Sequence, residues 1–504
     1  MKVKFIISIL TLCILFGCIG CSASAPNGSK DDYYAGSAPG LNYEASLPEL
    51  GYEHEEVKEN AFADPAQTPN STFSLDRNTA SYTFARKIIN SGGKVSTGAV
   101  RIEEYINYFN YDYARPQKGE GLAMGGSLAM CPWNNENFIF TVNVSAEEIS
   151  FENKVQNNLV FLIDTSGSMY GEDRLGLIQQ AFTMLTENLA ENDIVSVVTY
   201  ASGVGIAGEG MLGNEKVKIA NVLQDLSAGG STNGAGGIQL AYEVAQKYFV
   251  QGGNNRVILA TDGDFNVGIS NKDDLNEFIS EKRELGIWLS VLGVGMYNTN
   301  DTTMKTLAEN GNGNYAYLDS VNEARKVLVQ EMGGTLVSVA KDVKINVEFN
   351  PEVVEKYRLI GYETKTLTLE DFENQQKDAG EIGSGHTVTA VYEIKFKEGD
   401  SQGKIASAEI RYKDPSTDES KSLTKDYTTD LNLDVPYSED LIFIGCVTEF
   451  GLLLRNSEYK ASASFDSIIS RLEQLTCVCG DNADQFKAEF LELVKKAKQN
   501  YSKN

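Results

Sequence analysis

Asp164-Thr165-Ser166-Gly167-Ser168 sets one carboxylate and two hydroxyls at two-residue spacing. These are hard oxygen donors. They suit Mg2+ or Mn2+ and do not suit zinc, which prefers nitrogen and sulfur. The apolar run Leu159-Val160-Phe161-Leu162-Ile163 comes directly before them and reads as a buried strand of a parallel sheet. Asp164 then falls at the strand's carboxyl end, where open α/β sheets bind ligands.

Further elements are needed to hold such a cluster, and the sequence supplies them. From Asn158 to about Val339 strands and helices alternate. The strand candidates are 159–164, 194–200, 256–261, 287–294 and 314–318. Leu175, Ile178, Phe182, Leu185 and Leu189 share one helical face, as do Ile238, Ala241, Val244, Ala245 and Tyr248. This alternation predicts an α/β fold, a mostly parallel sheet with helices on both faces.

The flanks read differently. Residues 80–89 and 101–109 read as helices. Phe138, Phe140, Val142 and Val144 alternate as in a strand. Beyond Lys341, the stretches 343–349, 388–396 and 406–412 alternate likewise and predict half-buried antiparallel strands. The β-rich segments on either side are expected to pair into one sandwich, with the α/β domain inserted between them. From Ser438 to Tyr501 the chain turns helical. Lys495, Lys496 and Lys498 there read as complements to a helix C-terminus.

Two other loops resemble partners of the first. Gly229-Gly230-Ser231-Thr232-Asn233 leads into a helix, and Leu259-Ala260-Thr261-Asp262-Gly263 ends a strand. Together with 160–168 they resemble the von Willebrand factor A domain and its metal-ion-dependent adhesion site. That resemblance implies direct binding of the cation by the hydroxyls of Ser166, Ser168 and Thr232. It implies that Asp164 and Asp262 act largely through water. Neutral hydroxyl ligands leave the cation electrophilic, open to a carboxylate from a partner protein. Helix capping could account for one of the serines. It does not account for Asp164, Thr232 and Asp262 arriving together.

The flanks extend the likeness. Ser71-Thr72-Phe73-Ser74-Leu75-Asp76, Val100-Arg101-Ile102-Glu103-Glu104-Tyr105 and Cys131-Pro132-Trp133-Asn134 resemble the N-terminal region of YfbK-type bacterial lipoproteins. Tyr357-Arg358-Leu359-Ile360-Gly361-Tyr362-Glu363 and the stretch Lys377 to Val388 resemble the same family further on. The resemblance spans residues 71–500, nearly all the mature chain, and implies an exported protein without a defined molecular activity.

The first residues fit export. Lys2 and Lys4 form a basic region, and Phe5 to Phe16 an apolar stretch too short to span a bilayer. Two registers compete for a lipoprotein cleavage site. Cys18 has Leu15 three residues upstream; Cys21 is followed by Ser22, Ala23 and Ser24, a typical tether composition that favours it. The expected organisation is a signal peptide over 1–20, an acidic tether over 21–70 and an N-terminal family region over 71–157. The A domain follows over 158–340, then a β-rich region over 341–432 and a helical region over 433–504. The expected location is the cell envelope, lipid-anchored on the extracytoplasmic side of a membrane.

Composition narrows the function. A net charge of −26 argues against nucleic acid, whose phosphates need clustered Lys and Arg. Outside the signal region, Cys131, Cys446, Cys477 and Cys479 are too few and scattered for a disulfide framework and read as free thiols. There are two histidines, His54 in the tether and His386 in a glycine-rich turn, and neither suggests catalysis. No nucleophile elbow, zinc-protease helix or phosphate loop is present. The segment after Asp262 is no EF-hand, since Val267 and Asp273 stand where Gly and Glu are needed. The expected protein is therefore not an enzyme. It is a cation-dependent binding module for a partner's acidic side chain or, alternatively, an envelope scaffold whose metal only stabilises the domain.

Overall fold

The computed structural model describes residues 57–149, 156–231, 234–263, 272–295, 301–331, 337–377, 379–398, 403–415, 417–430 and 438–502. Cys18, Cys21, His54, Thr232 and the EF-hand-like residues 264–270 lie outside this set.

The chain opens with β1 (Asn70–Ser74), helices Ala80–Asn90 and Ile102–Ile106, then β2 (Leu122–Met130) and β3 (Phe138–Ala146). The α/β region follows: β4 (Asn157–Asp164), β5 (Ile194–Tyr200), β6 (Val204–Leu212), β7 (Asn254–Thr261), β8 (Ile287–Gly293) and β9 (Tyr315–Tyr317). Last come β10 (Ser338–Phe349), β11 (Val354–Ile360), β12 (Gly380–Gly383), β13 (Thr387–Phe396), β14 (Lys404–Lys413) and β15 (Ser420–Thr428).

Six strands form the α/β sheet in the order β6-β5-β4-β7-β8-β9. β4 pairs parallel with both β5 and β7, and β8 and β9 continue the parallel run. Every residue of β4 is buried because both faces are covered. Leu159, Phe161 and Ile163 point to one face and pack with Ile178 and Phe182 of helix Leu175–Glu187. Val160 and Leu162 point to the other and pack with Ile238 and Ala241 of helix Gly234–Lys247. The Phe161 and Phe182 rings stack 4.1 Å apart. Burying such a side chain contributes roughly 1.5–3 kcal/mol. The antiparallel edge strand β6 was not among the strand candidates. Its three glycines, Gly205, Gly208 and Gly210, break the alternation that marks a strand.

The remaining strands form two antiparallel sheets. One has the order β1-β10-β14-β15, with β12 also on β10; the other has the order β11-β13-β3-β2. Phe73 of β1 faces Ile345 of β10, and Val142 of β3 faces Ala390 of β13. Each sheet thus joins chain from before and after the α/β region. Phe140, Val142, Val347, Phe349 and Ile410 meet between the sheets.

Two expectations need correction. β13 is not half-buried: Thr387, Thr389 and Glu393 on its second face are also buried. The cause is a helical layer over that face: helix Ile102–Ile106 packs on β13, and helix Glu439–Leu454 packs on that helix, its Phe443 and Ile444 in one core with Ile139 and Val391. Two of the polar side chains beneath it are paired: the Thr389 hydroxyl lies 2.7 Å from that of Tyr113, and Glu393 takes several donors. Glu393 accepts from Arg358 at 3.0 Å and from Trp133 Nε1 at 3.2 Å. The second correction concerns the acidic tether expected to run to residue 70. Ala63 bridges Tyr357, and Asn60 Nδ2 donates to the carbonyls of Leu359 and Gly361. This segment adds to the edge of β11 through backbone bonds, which leave no periodicity to read.

The four cysteines after the signal region are free, with Cys131 and Cys446 buried. Of the late lysines, Lys495 pairs with Glu473 and Glu492, and Lys498 with Asp466. Among the described residues no helix is long and apolar enough to cross a membrane.

Candidate metal centre

β4 ends at Asp164, and the chain then makes a single 3-10 turn, Gly167–Met169. Met169 is fully buried and anchors the turn from below. Asp164 is itself fully buried. One of its oxygens accepts from the Ser166 amide at 2.8 Å, the other from Thr261 Oγ1 at 3.1 Å. Ser166 Oγ and Ser168 Oγ stand 3.0 Å apart. Asp262 follows the neighbouring strand β7 and is buried beside them. Sequence reasoning named Asp164, Ser166, Ser168 and Asp262, and they meet at one edge of the sheet, as parallel β4 and β7 require. Thr232 lies outside the described residues.

The electrostatics of this edge are unusual. Burial pushes the Asp164 carboxyl up from its ordinary range, and the nearby charge of Asp262 pushes it the same way. The hydrogen bonds from Ser166 and Thr261 oppose that shift without reversing it. Two buried carboxylates thus repel each other next to two hydroxyls. A hard dication fits this donor set: it relieves the repulsion and takes oxygen ligands of both kinds.

Several supporting residues carry no sequence signal. Ser202, in the β5–β6 turn, accepts the Ser231 amide on its hydroxyl at 2.8 Å. This draws the second loop toward the first. Gly229 donates to the Thr165 carbonyl at 2.8 Å, and Gly167 donates to the Gly230 carbonyl at 3.0 Å. Thr165 in turn donates its amide to the Tyr200 carbonyl of β5 at 2.9 Å. A lone Ser in a turn belongs to no motif. Only the hairpin geometry of β5 and β6 reveals its role.

Three family models match the chain. The one described as von Willebrand factor type A domain matches residues 158–330, that of "Uncharacterized protein YfbK, C-terminal" residues 334–500, and one described as von Willebrand factor residues 50–141. A relative from Escherichia coli (strain K12), "Uncharacterized protein YfbK", is 38% identical over 469 residues, covering 88% of this chain and 80% of its own length. A second relative, "Uncharacterized protein sll0103" from Synechocystis, is 24% identical over 298 residues, covering 56% of this chain and 68% of its own. Among solved structures, a von Willebrand factor type A protein from Catenulispora acidiphila is 13% identical. It covers 75% of this chain and 91% of its own, with a TM-score of 0.41. The chain belongs to the YfbK family and carries a von Willebrand factor type A domain between its two β-rich segments.

Proposed function

We propose that the protein is a cation-dependent interaction module. Asp164, Ser166, Ser168 and Asp262, with Thr232 from the second loop, hold Mg2+ or Mn2+. The observation that carries this reading is the buried pair Asp164 and Asp262 beside two serine hydroxyls 3.0 Å apart. The bound ion supplies a Lewis-acidic position for a carboxylate oxygen of a partner protein. The residues of this chain position and charge-balance that site and carry out no bond-making chemistry. The basic and apolar start of the chain and the cysteines after it support export. Cys21, or alternatively Cys18, then anchors the protein to a membrane on its extracytoplasmic side.

Affinity capture from envelope extracts tests the reading. Wild type in Mg2+ is expected to retain a partner that chelator releases and Asp164→Ala does not hold. Equal capture by wild type, chelated protein and variant would sink it. A second reading, an envelope scaffold stabilised by its metal, draws support from a buried cluster. Arg86 pairs with Asp319 at 2.6 Å and Glu323 at 2.7 Å, binding the A domain to the N-terminal helix. That reading predicts a large drop in melting temperature on chelation and no metal-dependent partner.

A further inference from the structure

We propose that Arg174 is the positioning residue of the metal loop; the inference rests on the metal-site reading above. Arg174 sits directly before helix Leu175–Glu187, and its side chain turns back over the preceding turn. Nη1 donates to the Ser168 carbonyl at 2.9 Å and to the Tyr170 carbonyl at 3.3 Å. The last carbonyls of a short 3-10 turn have no partner within it, so they need an external donor. One guanidinium nitrogen supplies it to both. The carbonyls of Ser168 and Tyr170 flank Met169, whose side chain is fixed in the core. The turn is therefore held from the core side by Met169 and along its backbone by Arg174. Held in this way, the turn keeps the Ser166 and Ser168 hydroxyls 3.0 Å apart.

Gly295, just past β8, completes the device. Its φ is +78°. A Cβ there would lie 2.9 Å from Arg174 Nε and 3.3 Å from Asp262 Cβ. Gly295 is thus the spacer between the guanidinium and the second carboxylate loop. Its own carbonyl is held by the Tyr317 hydroxyl. Without a side chain at this position the guanidinium can lie flat against the backbone and reach the turn. A lysine keeps the charge and one donating nitrogen but is a point charge on a flexible stem, without the flat group that fits against Gly295, so Arg and Lys are not equivalent here.

Mg2+ titration calorimetry on the full chain, with amide hydrogen exchange in chelator, tests this. The proteins are wild type, Arg174→Gln, Arg174→Lys, Gly295→Ala and, as control, Asp164→Ala. Arg174→Gln and Gly295→Ala are expected to weaken Mg2+ binding about tenfold or more, as loss of an outer support does at metal sites. Arg174→Lys is expected to fall between them and wild type. Without metal, the Met169 and Tyr170 amides are expected to exchange faster in Arg174→Gln while the melting temperature holds. Unchanged exchange at these amides overturns the clamp, whether or not the metal binds. Wild-type Mg2+ affinity in Arg174→Gln, with binding abolished in Asp164→Ala, overturns it as well. A wild type that binds Mg2+ no better than Asp164→Ala overturns the metal reading, and with it the role proposed for Arg174.

Discussion

The backbone amide of Gly167 donates to the carbonyl of Gly230 at 3.0 Å, so the loop after β4 and the Gly229–Ser231 loop are tied directly to each other. The tie depends on a conformation that suits glycine. Gly230 has φ +86°, and a Cβ there would meet Ser202 Oγ at 2.3 Å. Gly230→Ala must then either strain the backbone or displace Ser202. The expected outcome is a loss of roughly 1–2 kcal/mol in urea unfolding together with Mg2+ affinity weakened about tenfold. Calorimetry beside the urea curve checks this. Unchanged affinity would mean that the tie does not set the site.

Arg86 should be among the costliest single positions in the molecule. It is buried with Asp319 and Glu323, and its Nη1 donates to the Tyr108 hydroxyl at 2.7 Å. Arg86→Met leaves two buried carboxylates without their cation. Breaking such a pair costs about 3–5 kcal/mol. Adding Asp319→Asn and Glu323→Gln to that variant is expected to recover much of the loss in urea unfolding. No recovery would show that packing of the arginine, not its charge, is what matters.

His386 ties stability to pH. It is buried where β13 begins, facing Arg77, Lys326, Glu331 and Arg115 from other segments. Burial, helped by Arg77, pushes its imidazole down from 6.5 to about 3. Below pH 6.5 the unfolded chain takes up a proton that the folded chain refuses. The contribution is therefore complete above pH 6.5 and is lost as pH falls toward 3. A loss of ~3 kcal/mol by pH 4 follows from the size of the shift. His386→Gln removes this group, so its unfolding free energy should fall less steeply between pH 6.5 and 4. Parallel curves for the two proteins would contradict this.

Much of the α/β region was legible because burial on both faces leaves a plain trace, an apolar run such as 159–163 followed by polar loop residues. The same trace located Asp164, whereas Asp262 came from the resemblance to the von Willebrand factor A domain; parallel β4 and β7 bring the two to one edge. β6 was not legible, because an edge strand with three glycines has no alternation. Nor was the burial of Thr389 and Glu393, whose polarity suggests solvent. Helix Ile102–Ile106 packs on that strand, and their partners, such as Asn107 and Arg358, lie elsewhere in the chain. Ser202 and Arg174 stayed hidden for a related reason. A single polar residue acts there through backbone carbonyls and amides, which have no signature in the side-chain pattern.

On the proposed reading, a dication is held by the Asp164 cluster. Mn2+ titrated into the metal-free full chain and followed by electron paramagnetic resonance, with Mg2+ as competitor, tests it most directly. Wild type is expected to take up a single tightly held Mn2+ that Mg2+ displaces. Asp164→Ala and Ser168→Ala are expected to leave the ion free in solution while keeping their fold in chelator. Uptake by Asp164→Ala equal to wild type would contradict the account.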